Sequence, residues 1–176
     1  MKERKITLDE MLACREKRVE RQKEMLLRFG TAIVSVTLVW PGELKDTDAS
    51  RYVMKQALRT LEDALDEISI SPMQRWCEFS ATGAFAIYSV ECETSELKKI
   101  CVTLEDAHPL GRLWDFDVID SNSQPISRSD INLPVRRCLL CNEPAHACVR
   151  SRAHDMKSLL LAVQGRIDEF KHTQQN

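Results

Sequence analysis

No run of apolar residues in this chain approaches the roughly 20 needed to span a bilayer. The opening Met1-Lys2-Glu3-Arg4-Lys5 also lacks the apolar core of a secretory signal, so a cytoplasmic location without membrane insertion is expected. An excess of positive charge is missing too: 25 Lys and Arg stand against 27 Asp and Glu, which argues against a generally basic nucleic-acid binder. The seven cysteines are odd in number and too sparse for a secreted disulfide scaffold, and they read as reduced thiols. A length of 176 residues, with 43% of them hydrophobic, suits one core. A single domain over 1–176 is expected: a basic helical extension (1–30), an α+β core (31–120), and an Arg/Cys-rich connector with a C-terminal helix (121–176).

Thr7 with Glu10 makes a capping box for a charged helix running to about Arg28 and stopped by Gly30. Its apolar stripe is thin, so it reads either as a solvated basic appendage or as a surface that meets an acidic carrier protein. Thr31 to Trp40 alternates as a strand closed by Pro41-Gly42. Val53 or Met54, Ala57, Leu58, Leu61, Leu65 and Ile68 recur at helical spacing, predicting an amphipathic helix over 50–68 that Pro72 ends. Met73 to Ser80 and Ala84 to Val90 read as a hairpin turning at Ala81-Thr82-Gly83. Ser95 is the expected cap of a third helix, which carries Leu97, Ile100, Cys101 and Leu104 inward until Pro109. The strand Trp114 to Ile119 then completes the order strand, helix, strand, strand, helix, strand. That order is the split βαβ pattern of ferredoxin-like antiparallel sheets. A last helix from Asp155 to Phe170 presents Leu159, Leu160, Val163, Ile167 and Phe170, and it is expected to wall one side of any site.

Successive strand residues point to opposite faces, so Asp115 and Asp117 share one face while Trp114, Phe116 and Val118 fill the other. The carboxylates then lie roughly 7 Å apart, a repulsive arrangement that Mg²⁺ would relieve while taking its remaining ligands from phosphates. If the aromatic face meets the helices, the acids look onto an open side. Gly111 permits close backbone approach and Arg112 supplies a phosphate-matching guanidinium. Further along, Arg128, Arg136, Arg137, Arg150 and Arg152 suit either a polyanion or surface ion pairs with nearby acids. Cys138, Cys141, Cys148 and His154 supply four soft ligands in order, chemically sound for a structural zinc site. Cys14, Cys77, Cys92 and Cys101 need no function.

His108 to Asp117, Ser127-Arg128-Ser129-Asp130, Leu133-Pro134, and Arg136-Arg137-Cys138-Leu139-Leu140-Cys141 with Cys148, Arg150 and His154 resemble the holo-citrate lyase synthase family. Its members are also called apo-citrate lyase phosphoribosyl-dephospho-CoA transferases. The segment from Ile33 through Val39-Trp40-Pro41-Gly42-Glu43-Leu44-Lys45-Asp46 is similar more loosely. The resemblance implies an enzyme of nucleotidyltransferase type. Its donor would be 2′-(5″-triphosphoribosyl)-3′-dephospho-CoA and its protein substrate the acyl-carrier (gamma) subunit of citrate lyase, with diphosphate released from attack by a carrier serine. In that setting Asp115 and Asp117 would hold Mg²⁺, and Arg112 with Gly111, Arg136, Arg137 and Arg150 would bind the triphosphate. One of the aspartates or His108 would accept the serine proton. The same chemistry on the malonate decarboxylase carrier, or a non-catalytic metal-stabilised adaptor, are the competing readings.

Overall fold

Local capping fixes where the helices of this computed structural model begin. The structure describes residues 4–174, so the first three residues of the expected basic extension and the last two of the C-terminal segment lie outside the described residues. Glu10 donates its backbone N–H to Thr7 Oγ1 at 3.2 Å, and Thr7 N–H donates to Glu10 Oε2 at 2.9 Å; this reciprocal cap opens α1 (Leu8–Phe29), which Gly30 closes at φ 66°. Helix α2 (Asp48–Glu67) starts earlier than expected. Thr47 and Ser50 form the reciprocal pair that occupies two otherwise orphan donors, which puts Ser50 inside the helix. Val53 and Met54 are both buried, whereas Ile68 falls past the helix end and is 42% exposed. Helix α3 (Thr94–Ala107) is capped not by Ser95 but by Glu93, whose carboxylate accepts the Glu96 N–H at 2.8 Å.

Strands β1 (Ala32–Leu38), β2 (Gln74–Ser80), β3 (Gly83–Val90), β4 (Trp114–Ile119) and the short β5 (Pro125–Ile126) form one antiparallel sheet in the order β2-β3-β1-β4-β5. The expected alternation of strands and helices is therefore present, as a mixed α/β fold with five α-helices among the described residues. β5 and helix α4 (Ala145–Ser151) were not foreseen, being too short for a periodic pattern to announce them. Helix α5 (Met156–Thr173) begins at Asp155, whose side chain accepts the Ser158 N–H. No helix among the described residues is long and apolar enough to cross a membrane.

The alternation along each strand divides the sheet into two unlike faces. Val34, Val36, Ala86, Tyr88, Trp114, Phe116 and Val118 point toward α2, α3 and α5 and form the main core with Leu61, Leu65, Leu97 and Ile167. The other face was expected from the sequence to be open, but α1 lies across part of it. Met25 and Leu26 bury against Ile33, Phe85 and Ile87. The thin stripe sufficed because it had only a small apolar patch to cover, and the remainder of that face is polar. Helix α5 packs on the opposite face from Asp115 and Asp117, through Val163, Ile167 and Phe170, while Leu160 is 45% exposed. It therefore does not wall the aspartate face.

The outer edge of β4 is completed by side chains. β5 pairs only with Val118 and Ile119, which leaves the Phe116 backbone groups without a strand partner on that side. Glu105 accepts the Phe116 N–H at 2.7 Å and Lys98 donates to its carbonyl at 3.1 Å, both from one face of α3. Arg128 then pairs with Glu105 at 2.6 Å and Asp106 at 2.8 Å, so this charged network compensates its own burial. Ser127-Arg128-Ser129-Asp130 is thus a fastening of the connector onto α3, with Ser127 N–H and Oγ both donating to Asp130.

Candidate functional site

Asp115 and Asp117 project from β4 toward α1, opposite Thr37 and Ser35 of β1. Thr37 Oγ1 donates to Asp115 Oδ2 at 3.5 Å, and Gln22 of α1 donates to Ser35 at 2.9 Å, so hydroxyl and amide groups rather than hydrocarbon surround the acids. Asp115 is half-buried and Asp117 more exposed. Surrounding protein atoms nevertheless displace enough water to push the Asp117 carboxyl up to about 6; the Asp115 charge adds to the rise, while Lys98 and Arg18 oppose it. The like-charge part of that shift is what a divalent cation would cancel. Hard carboxylate oxygens on one face, with Asp117 reachable from solvent, fit Mg²⁺ chemically.

Beside the pair lies a cavity of about 240 Å³ between α1 and the sheet, bordered by Arg15, Arg18, Thr37, Lys45 and Asp115. The Lys45 ammonium donates to the Trp40 carbonyl, and burial, then Arg15, lowers its pKa. Sequence reasoning singled out none of these three cations. The available signal was the repeat Met11, Cys14, Arg15, Arg18, Gln22, Met25, which continues the buried stripe of α1 in polar form. Two arginines in that stripe made it look solvated when it was the lid of a polar cavity.

The arginines expected to meet phosphate divide into two groups. Arg112, in a 3₁₀ turn at Gly111–Leu113, donates to the carbonyls of Arg137 and Cys138, the latter at 2.8 Å. Arg136 donates to the Arg112 carbonyl at 2.9 Å and to the Trp114 carbonyl at 2.5 Å, and its other nitrogen approaches Asp115 at 3.3 Å and Glu105 at 3.5 Å. Both clamp the connector to the start of β4. Arg137 and Arg150 are exposed. Arg137 borders a second cavity of about 430 Å³ together with Arg112, Arg136, Arg152, Trp40 and Leu159. Arg150 borders neither cavity. Trp40 borders both, and Arg136 reaches from the second cavity to Asp115 in the first.

Gly111 packs closely on the end of α3. A Cβ there would lie 2.4 Å from the Leu104 carbonyl oxygen and 2.5 Å from that of Glu105, so the missing side chain lets the turn pack onto the end of α3. His108 is not brought to the aspartates. It stands on the other face of the sheet, with its ring 4.3 Å from Trp114 and 5.0 Å from Phe170, and its Nδ1 accepts the Leu110 N–H at 3.0 Å. Burial lowers its pKa, which favours the neutral ring.

Cys138, Cys141, Cys148 and His154 do converge: their ligand atoms all lie within 4.8 Å of one another, an arrangement able to hold a metal ion. For Cys138, burial raises the pKa but is outweighed by N–H groups of Leu140 and Cys141 directed at Sγ and by the neighbouring thiols, giving a value of about 6. Cys148 is pushed up to about 12 by burial and by the two other thiols. Three sulfurs this close cannot all carry charge on their own, and a thiolate in one raises the others.

Residues 6–170 match the sequence model of a family described as apo-citrate lyase phosphoribosyl-dephospho-CoA transferase. A Citrobacter koseri protein of that name is 34% identical over 159 residues, covering 90% of this chain and 87% of the relative. Proteins of the same name from Escherichia coli O1:K1 and Shigella boydii serotype 18 are each 32% identical over 164 residues, covering 93% of this chain and 90% of theirs.

Proposed function

The chain belongs to the apo-citrate lyase phosphoribosyl-dephospho-CoA transferase family, and from that premise we propose that it transfers phosphoribosyl-dephospho-CoA from its triphosphoribosyl donor to a serine of the apo citrate lyase acyl-carrier subunit. The serine oxygen forms a bond to the phosphorus next to the ribose, the bond to the terminal diphosphate breaks, and the serine proton passes to a base. Asp115 and Asp117 would hold Mg²⁺, which when bound would supply positive charge against phosphate oxygens. Arg15, Arg18 and Lys45 add fixed positive charge in the cavity beside that pair, where low dielectric strengthens their pull on phosphate. The larger cavity, with Arg137 and Arg152 at its rim and an apolar wall, takes the rest of the donor. A proton acceptor is available within the aspartate pair, whereas His108 faces away from it.

The observation that carries this reading is the gathering of Asp115 from β4 with Arg15 and Arg18 from α1 and Lys45 from the loop after Trp40 around one cavity, with Asp117 on the same strand face two residues along. The strand order β2-β3-β1-β4 supports reading the sheet as a ferredoxin-like split βαβ frame of one transferase domain. A cytoplasmic setting suits the seven unpaired cysteines.

The test is the intact mass of the apo carrier subunit after incubation with this protein, donor and Mg²⁺, with and without chelator. A Mg²⁺-dependent gain equal to phosphoribosyl-dephospho-CoA is expected. No gain, with carrier and donor both shown competent using a relative's enzyme, overturns the reading; modification of the malonate decarboxylase carrier instead reassigns the protein substrate.

A further inference from the structure

We infer that Cys138, Cys141, Cys148 and His154 form a four-coordinate structural zinc site that fastens the connector against the start of β4. The four ligand atoms come from three separate local structures. Arg137 and Pro144 bridge across a tight hairpin in which Cys138 N–H donates to the Glu143 carbonyl at 2.8 Å and Ala145 N–H to the Arg136 carbonyl at 2.8 Å. That hairpin presents Cys138 and Cys141. Cys148 comes from α4, and His154 from the residue before the cap of α5.

Distances decide what the cluster can hold. Cys141 Sγ lies 3.5 Å from Cys148 Sγ and 3.4 Å from His154 Nε2. Tetrahedral zinc with ordinary bond lengths requires separations of about 3.8 Å between sulfurs and about 3.6 Å between sulfur and nitrogen. A disulfide would need the sulfurs about 2.0 Å apart. These two separations are within a few tenths of an ångström of the zinc geometry, the Cys141–Cys148 one is far from a disulfide, and all four ligand atoms lie within 4.8 Å of one another.

The donor set points to the same ion. Three thiolates and one imidazole are soft to borderline ligands, which select zinc over Mg²⁺ or Ca²⁺. The Leu140 N–H directed at Cys138 Sγ at 3.5 Å supports a thiolate and orients it. With all four positions filled by the protein, no coordination site remains for water or substrate, so the role is structural. Its need is visible in the surrounding chain. Between β5 and α5 the only regular elements are a three-residue 3₁₀ turn and the seven-residue α4. Of the apolar side chains there, Val135 and Val149 are exposed by 51% and 78%. A segment with so little buried hydrocarbon cannot offset its own ordering entropy by packing. Arg136 is two residues from the first ligand, and Arg112 donates to the Cys138 carbonyl, so a fixed metal knot also fixes the arginine that touches Asp115.

The test is elemental analysis of the full-length protein, purified under reducing conditions without a histidine tag or chelator, so that metal is read independently of any transfer activity. Zinc is expected at a stoichiometry near one per chain. It is lost in Cys141→Ser and Cys148→Ser, and retained in His154→Cys, which keeps a four-ligand set, and in Cys92→Ser, outside the cluster. Because the serine variants could lose metal by unfolding, a second measurement uses the parent chain. After zinc is stripped by chelator, Co²⁺ is titrated back, and the expected result is one equivalent bound with tetrahedral d–d bands and thiolate-to-cobalt charge transfer. Negligible zinc in fresh protein together with no cobalt spectrum overturns the site. A mass lower by two hydrogens, mapped to a Cys141–Cys148 disulfide in the freshly isolated reduced-buffer protein, overturns it as well.

Discussion

Trp114, Phe116 and Val118 are buried among α2, α3 and α5, while Asp115 and Asp117, interleaved with them on the same six-residue strand, face α1 beside a cation-bordered cavity. The first face holds close-packed hydrocarbon and a histidine, its pKa lowered by burial, tilted against two aromatic rings. The second holds two acids, one of them with its carboxyl pushed up to about 6. The period of a strand lets one segment supply both, and the packing on one side offsets the unfavourable charge crowding on the other. The alternation of β4 also explains why His108 and Asp115, close in sequence, are far apart in role: Trp114 packs on His108 on one face, and the next residue points to the other.

The comparison breaks most sharply at Asp117. Asp117→Asn is expected to lower transfer by more than about 100-fold, yet to raise stability at neutral pH. The folded carboxyl retains its proton up to about 6, against 3.8 ordinarily, so between these values the native state binds more protons than the unfolded one. Stability contributed by this group is therefore present at low pH and is lost as pH rises through that window. Melting curves should show the amide variant above the parent beyond pH about 6, with the gap closing toward 3.8. Mg²⁺ should raise the parent's melting temperature and not the variant's. A variant that melts below the parent at every pH would contradict the charge-crowding account.

The opposite face should respond in stability first. Trp114→Ala empties a fully buried position and is expected to cost about 3–5 kcal/mol in urea unfolding. Trp114→Phe should cost clearly less, because it also removes a buried indole N–H that has no acceptor. A phenylalanine variant as unstable as the alanine one would mean that indole shape, not area, holds that face.

Where the two faces meet, Gly111→Ala would drive a methyl group against backbone oxygens that cannot swing aside, at an expected cost of about 1–3 kcal/mol. Measured by chemical denaturation, a neutral outcome would return Gly111 to the phosphate-contact role that its position before the acids first suggested. The smallest effect is expected at His108. His108→Ala should lose about 0.5–1.5 kcal/mol of stacking and leave the pH dependence of transfer unchanged. A displaced pH profile would connect the imidazole to the chemistry despite its place on the far face.

Much of the frame was legible because local rules and tertiary structure agree. The Thr7–Glu10 cap, the Gly30 stop, the α2 stripe and the alternation along β4 are each decided by residues within a few positions of one another. One cap was misassigned and one helix start placed late for an equally local reason: Glu93 caps in place of Ser95, Thr47 opens α2 ahead of residue 50, and a serine inside the first turn can also bond to the cap. The shared face of Asp115 and Asp117 and the soft donor set of Cys138, Cys141, Cys148 and His154 were readable as well, since both depend on residue type and spacing. The partners of the arginines were not. Arg112, Arg128 and Arg136 look alike in sequence to Arg15 and Arg18, and only the fold decides which guanidinium is held by a backbone carbonyl or a buried carboxylate and which borders the cavity beside Asp115.

The amino-acid sequence by itself determined the family, the succession of strands and helices, the shared face of Asp115 and Asp117, and the four soft ligands near its C-terminal end. The family follows from the likeness of whole motifs to known relatives, and the rest from short-range periodicity and residue chemistry. Only the tertiary structure decided that α1 closes over the acidic face, that Arg15, Arg18 and Lys45 join it, that His108 turns away, and that three cysteines and a histidine come within 4.8 Å of one another. Those outcomes depend on which apolar patch covers which, a matter of long-range packing that no local spacing encodes.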